Sequence, residues 1–137
     1  MKIQIKNLKR NFLVPSQEIK RAVHKTLQYE GRPLSAGINI IFVSDGRIRE
    51  LNKKFLKVDQ PTDVLVFDLG SEKDIVISVD TAVRQAKYYR TSLQYELCFY
   101  VIHGVLHLLG YDDKLARQRR IMQERAKKII KGLTDAN

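Results

Sequence analysis

Three side chains near the end of one apolar segment, His103, His107 and Asp113, have the types and spacing needed to hold a metal ion. Histidines four residues apart lie on the same face of a helix, one turn from each other. Gly110 follows three residues after His107, and a glycine there can adopt the left-handed conformation that ends a helix. The chain then turns back, so we expect Asp113 to approach the two imidazoles. Two imidazoles and a carboxylate with one open position form the donor set of a catalytic zinc site.

Zinc on three protein ligands would support hydrolysis, because it lowers the pKa of a bound water to about 7 and polarises the oxygen under attack. Amides and phosphodiesters are both chemically suitable substrates. Zinc peptidases carry a glutamate beside the first histidine as general base, whereas this chain has Gly104 there. Loss of such a base typically costs about 10²- to 10⁴-fold in rate, which makes a metallopeptidase the weaker hypothesis. Nickel would accept the same donors as zinc, and in a further alternative the histidines bind no metal and pack in the core.

Length and composition favour one globular domain that spans residues 1–137, with 44% hydrophobic and 29% charged residues. No apolar run approaches the roughly 20 residues that cross a bilayer. The alternating residues at the N-terminus are typical of a strand and differ from a signal peptide, so we expect a cytoplasmic protein without a membrane partner. The single cysteine, Cys98, lies in an apolar run and is predicted to be a small buried hydrophobic residue.

A formal net charge of +10 indicates a polyanionic partner such as RNA, DNA or a ribosome, although the charge could also serve solubility alone. The last helix carries many of these charges. We expect its apolar side to hold Leu115, Met122, Ala126, Ile129 and Leu133, and its basic side to hold Arg117, Arg120, Arg125, Lys127, Lys128 and Lys131. The basic side is suited to RNA phosphates, and for each residue separately a solvated surface is the simpler interpretation.

Hydrophobic periodicity predicts an α+β fold, in which a small mixed four-stranded sheet packs with about five helices and a central buried helix carries the metal ligands. The expected strands are residues 2–7, 38–43, 63–67 and 74–79. The expected helices run from Pro15 to Gly31, from Ser44 to about residue 56, from about 81 to 89, from 91 or 92 to about 109, and from about 114 to 131. Asp80 is the expected cap of the third helix.

The segment from His103 to Asp112 fits the signature His-Gly-x-x-His-Leu-x-Gly-Tyr-Asp-His at each defined position. It therefore resembles the YbeY proteins, bacterial metal-dependent endoribonucleases involved in ribosomal RNA maturation and ribosome quality control. The segments from Leu51 to Phe67 and from Asp74 to Ser78 are also similar to stretches of that family. The resemblance covers nearly the whole chain in length and order.

Two positions depart from the family pattern. Asp113 stands where the third ligand is usually histidine, and as an anion it should make the metal a weaker Lewis acid. Leu56 stands where the family usually has an arginine after an aromatic residue. Lys57 and Lys54 are our candidates for supplying the missing charge to RNA, with Lys53 as a further one, each as a point charge without bidentate geometry. Asp112 fits a turn residue or one that orients a ligand, and an exchange of roles with Asp113 stays open.

The resemblance implies a single-strand-specific, zinc-dependent endoribonuclease. His103, His107 and Asp113 would bind one zinc ion per chain, and beyond water activated by that metal no catalytic group is assigned. The implied partners are ribosomal RNA and ribosomal particles, without DNA specificity. The alternatives are a non-catalytic ribosome assembly or RNA-binding factor with a structural metal and, less favoured, the metallopeptidase.

Overall fold

The computed structural model describes residues 1–135, which form four strands and five helices. In chain order these are β1 (Ile3–Asn7), α1 (Ser16–Glu30), β2 (Gly37–Val43), α2 (Asp45–Leu56), β3 (Val64–Asp68), β4 (Glu72–Ser78), α3 (Val79–Tyr89), α4 (Leu93–Leu108) and α5 (Ala116–Asp135). The predicted α+β fold is confirmed. Within the same residues, no helix is both long and apolar enough to cross a membrane.

The four strands form one mixed sheet in the order β1-β2-β4-β3. β1 and β4 run parallel to β2, and β3 runs antiparallel to β4. The antiparallel pair is a hairpin whose connection contains Gly70 at φ 81°, a conformation that glycine adopts without strain. The parallel pairs need crossover connections, which α1 and α2 provide.

Alternate residues of the central strands face opposite sides of the sheet, and each side has its own core. Ile75 and Ile77 belong to the large core that includes α4, whereas Val76 packs with Ile48 of α2 in a smaller one. α2 therefore lies on the opposite face of the sheet from α4. This division decides which charged residues can come near the two histidines.

α4 runs through the large core, as its nearly continuous apolar sequence predicts. Leu97, Val101, Ile102 and Leu106 are fully buried on it. Cys98 is also buried, and burial raises the pKa of its thiol to about 11, so the predicted role as a small apolar residue is confirmed. A helix held on most sides by packing gives its side chains a fixed position.

The predicted start of α3 is wrong. β4 ends at Ser78, and the chain enters the helix at Val79, a residue that the sequence pattern places in the strand. The Ser78 hydroxyl caps the helix by accepting a hydrogen bond of 3.2 Å from the Thr81 amide. Asp80 lies in the first turn instead, where its carboxylate accepts a hydrogen bond of 2.8 Å from the Asp45 amide. The serine takes the cap because the strand and the helix share a boundary without a loop.

The last helix also differs from the prediction, since α5 begins at Ala116 and extends to Asp135. Met122, Ala126 and Ile129 are buried as expected, but Leu115 precedes the helix and is 63% exposed, so its assignment to the apolar side is wrong. Leu133 is partly buried against the core. Five of the six basic residues are exposed: Arg117, Arg120, Lys127, Lys128 and Lys131. Arg125 instead reaches back to Glu30 of α1.

Candidate functional site

The turn at the end of α4 has the geometry that the sequence predicts. α4 ends at Leu108, and Gly110 has φ 108°, in the region that favours glycine. The Gly110 amide donates to the His107 carbonyl at 3.0 Å, and the Tyr111 amide donates to the Leu106 carbonyl at 3.1 Å. These two bonds form a Schellman motif, which satisfies carbonyl groups at the helix end and reverses the chain.

The reversal brings Asp113 back to the first histidine. The distance between His103 Nε2 and Asp113 Oδ2 is 4.0 Å, and the two side chains are 22% and 45% exposed. His107 is half-buried one turn further along the same helix. The three predicted ligands thus lie at the same end of α4, with an opening to solvent.

Histidine nitrogen and carboxylate oxygen are donors that zinc prefers. Bonds of 2.0–2.2 Å in a tetrahedral site place two donor atoms roughly 3.3 Å apart, so His103 and Asp113, at 4.0 Å, are somewhat wider than that. Over residues 1–135, no group of three or more histidine, cysteine or acidic side chains is arranged so that it could hold a metal ion. The donor types fit zinc, the side chains would have to close around it, and the zinc site stays a prediction.

The electrostatics of His103 favour the neutral imidazole. Burial lowers the pKa of His103, and the neighbouring His107 lowers it further, whereas the carboxylates of Asp63 and Asp113 act in the opposite direction. Burial has the largest effect, so the pKa lies below its ordinary value of 6.5. The neutral form has the lone pair that a metal ligand needs.

Asp63 is the site residue that the sequence analysis missed. It precedes β3, and its Oδ1 accepts hydrogen bonds from the Val64 amide at 2.7 Å and the Thr62 hydroxyl at 3.3 Å. These bonds hold its carboxylate where it acts on the charge of His103. Its position in a segment that resembles the family was one available signal, but the apolar run that follows it predicts a buried strand beginning at Asp63.

Gly104 faces the sheet and not the open side of the helix. A Cβ placed there would be 2.7 Å from Ile75 Cδ1 and 2.9 Å from Ile75 Cγ2. A glutamate at this position would therefore run into β4 and could not act as a general base. The position at which a zinc peptidase carries its base is reserved for packing in this chain, which argues further against the peptidase.

Asp112 and Asp113 have different surroundings. Asp112 Oδ1 accepts a hydrogen bond of 2.9 Å from the Lys114 amide, which is the interaction of a turn residue. The Asp113 carboxylate is the one that approaches His103. The sequence leaves open which of the two residues forms the turn and which approaches the histidines, and this hydrogen bond makes Asp112 the turn residue.

The lysines proposed to contact RNA lie at the end of α2, on the other face of the sheet from α4. Lys57 caps that helix in a left-handed conformation, with φ 62°, and its amide donates to the Lys53 carbonyl at 3.2 Å. The Lys54 ammonium is 5.3 Å from the centroid of the Phe55 ring. Leu56 is 57% exposed. The RNA contacts of Lys54 and Lys57 stay predictions.

The fold and site define an α+β domain whose mixed four-stranded sheet supports a buried helix with two histidines at its end. A family model described as Endoribonuclease YbeY matches residues 4–134. The chain belongs to the YbeY family.

Curated relatives and one solved structure agree with this membership. A protein of Carboxydothermus hydrogenoformans named Endoribonuclease YbeY is 41% identical, and the match covers 84% of this chain and 83% of the relative. A protein of the same name from Moorella thermoacetica is 38% identical, with 97% of each chain covered. The solution structure of TM1509 from Thermotoga maritima is similar with a TM-score of 0.64 and 30% identity, over 93% of this chain and 86% of that one.

Proposed function

We propose that this protein is an endoribonuclease that cleaves single-stranded RNA, acting in ribosomal RNA maturation and ribosome quality control. The observation that carries the proposal is the approach of Asp113 to within 4.0 Å of His103, at the helix end where the family motif lies. Relatives that match over most of their length are named endoribonucleases. Gly104 packed on Ile75 leaves no place for the glutamate of the competing peptidase.

We infer that His103, His107 and Asp113 would hold one zinc ion, and nickel has the same donor preferences. When bound, zinc supplies water activated at neutral pH and polarises the phosphate oxygen. The protein contributes the rest: burial favours neutral His103 by lowering its pKa, against the smaller opposite effect of the Asp63 carboxylate, and the Gly110 turn positions Asp113.

RNA is the proposed substrate and ribosomal particles the proposed partners, in the cytoplasm where both are found. The net charge of +10 supports a polyanionic partner, and exposed lysines and arginines of α5 supply part of it. Contacts to phosphate carry no sequence information and are available in both RNA and DNA. A preference for RNA requires that the protein also recognises single strands and 2′-hydroxyl groups.

The test combines metal content with cleavage of a single-stranded RNA. Purified wild type should carry about one zinc per chain and cleave, and His103→Ala should lose both properties. His24→Ala is the matched control, because His24 is the third histidine and is exposed on α1. It should keep both properties.

Two results would decide against the proposal. Equal cleavage by wild type and His103→Ala would mean a contaminating nuclease or another site. A wild type that binds metal and ribosomal particles without cleaving RNA would favour the assembly factor, whose basic surface performs the function and whose metal is structural.

A further inference from the structure

A cavity of about 520 Å³ lies between the residue before β3, α3, the first half of α4 and α5, and Tyr100 in its lining is about one helical turn before His103. Four aromatic side chains and two carboxylates contribute to its lining: Tyr89, Tyr95, Phe99, Tyr100, Asp63 and Glu96. The cavity is large enough for a planar heterocycle and its ribose. Its combination of flat apolar walls and fixed acceptors is unusual for a surface that is merely solvated.

The cavity and the candidate metal site share one face of α4. Glu96, Tyr100, His103 and His107 follow one another at spacings of four, three and four residues, which places them in a single row. Asp63, whose charge acts on His103, also lines the cavity. A ligand in the cavity would therefore lie on the same side of α4 as a group bound at the histidines.

The Tyr100 hydroxyl is the strongest indication of a ligand. Tyr100 is only 4% exposed, and its hydroxyl has no hydrogen-bond partner among the residues that the structure describes. Buried polar groups in proteins are nearly always paired, because an unpaired one costs about 1–3 kcal/mol. Tyr100 lines the cavity and its hydroxyl is closed off from solvent, so a bound molecule becomes the missing partner once neighbouring side chains of the lining move aside.

We propose that this cavity binds one nucleobase of the single-stranded RNA, next to the phosphodiester held at the histidines, and that it prefers guanine to uracil. The inference rests on the proposed function and adds a base preference to it. Aromatic side chains bind unstacked bases through their faces. The carboxylates of Asp63 and Glu96, which outnumber the one lysine of the lining, Lys127, disfavour a phosphate in the cavity and accept hydrogen bonds from a base.

Guanine matches these acceptors because its N1–H and its amino group present two adjacent donors to a carboxylate. Uracil presents one N–H donor. Glu96 already accepts a hydrogen bond of 2.6 Å from the Thr91 hydroxyl, which fixes its carboxylate in place. Tyr100 then has a base heteroatom as its partner.

The experiment uses three six-nucleotide RNAs that are identical except at one position, which holds guanine, uracil or an abasic ribose. Binding to the full chain is measured by fluorescence anisotropy in the presence of a chelator, and cleavage is measured separately with metal. Stacking and hydrogen bonding of one base should make the guanine RNA bind roughly five- to tenfold more tightly than the abasic RNA. The uracil RNA should fall between them.

Two pairs of variants test the cavity itself. Tyr100→Phe removes only the hydroxyl, and Glu96→Gln removes the charge of one acceptor of the lining. Both should lower the preference for guanine towards parity. The matched controls are Tyr29→Phe on α1 and Glu50→Gln on α2, which lie outside the lining and should keep the full preference.

The outcomes separate the two proposals. Equal binding of all three RNAs, or an unchanged guanine preference in both cavity variants, overturns the cavity proposal, and cleavage by the same wild type would leave the endoribonuclease standing. Guanine-selective binding that the cavity variants abolish supports the cavity even if no RNA is cleaved, in which case only the endoribonuclease falls. Absence of any RNA binding overturns the cavity proposal as well.

Discussion

Ile75 of β4 occupies the space that any side chain at position 104 of α4 would need. A Cβ on Gly104 would lie 2.7, 2.9 and 3.0 Å from three carbon atoms of Ile75, and the first two distances are shorter than real Cβ atoms show. Gly104, the residue after His103, therefore lets α4 lie directly against the sheet. The depth of the helix, and with it the position of the histidines, depends on this contact.

Gly104→Ala should destabilise the protein by about 1–3 kcal/mol, because overpacking forces the helix and strand apart. The matched control is Gly46→Ala in α2, where the nearest atom to an added Cβ is Ser44 Oγ at 3.9 Å. There, alanine should be neutral or stabilising by up to about 1 kcal/mol, because glycine is the poorer helix former. Urea unfolding of both variants measures the difference, and equal stabilities would show that the close approach is not required.

Asp113→Asn should weaken zinc binding at least about tenfold, because a neutral amide oxygen is a poorer ligand than a carboxylate. Asp112→Asn should bind zinc like wild type, since an amide oxygen can still accept from the Lys114 amide. Titration calorimetry with zinc compares the two. If only Asp112→Asn lost zinc affinity, Asp112 and not Asp113 would be the third ligand.

The sequence was sufficient for features that depend on local physics. The continuous apolar run predicts that α4 is buried, and Gly110 predicts the turn that returns Asp113 to His103, because both follow from helix geometry and backbone conformation. The donor types of the candidate site are likewise visible without a structure. The order of strands and the side of the sheet that α2 occupies are not.

Features that depend on tertiary packing could not be predicted from the sequence. Asp63 is 40 residues before His103, and only the placement of β3 and α4 brings their charges together. Arg125 belongs to the basic side of α5 by periodicity, yet the packing of α5 on α1 directs it to Glu30. The pattern of one helix cannot show which residue a neighbouring helix presents to it.

Arg125→Met should destabilise the protein by about 1–3 kcal/mol, because it leaves a buried carboxylate with too few partners. Glu30 has a side chain only 3% exposed, and it accepts hydrogen bonds from Arg125 Nε at 2.8 Å and from the Tyr111 hydroxyl at 2.6 Å. The exposed Arg120 gives the control Arg120→Met, with a change within about 0.5 kcal/mol.

Thermal and urea unfolding measure both variants, and a double variant Glu30→Gln with Arg125→Met isolates the cause. It should lose less stability than the sum of the single changes, since the uncompensated charge is gone. Strict additivity would mean that the carboxylate and the guanidinium act independently.

Asp45 should make the stability of the fold depend on pH in the acid range. Its Oδ1 accepts hydrogen bonds from the hydroxyls of Ser78 at 2.6 Å and Thr81 at 2.7 Å, and its Oδ2 pairs with Arg84. Burial alone would raise the pKa of Asp45, but these hydrogen bonds and the charge of Arg84 outweigh it and hold the pKa below the ordinary 3.8.

A carboxyl group whose pKa is lower in the folded than in the unfolded protein stabilises the fold above the unfolded pKa, and this stabilisation is lost as the pH falls through the folded pKa. Asp45→Asn should therefore be less stable than wild type at neutral pH, and the difference should shrink below about pH 3.8. Glu50→Gln, at a side chain that is 70% exposed, is the control and should alter this pH dependence little. Urea unfolding at a series of pH values measures both, and a difference between wild type and Asp45→Asn that stays constant down to pH 2 would contradict the assignment, because the carboxyl would then not titrate with folding.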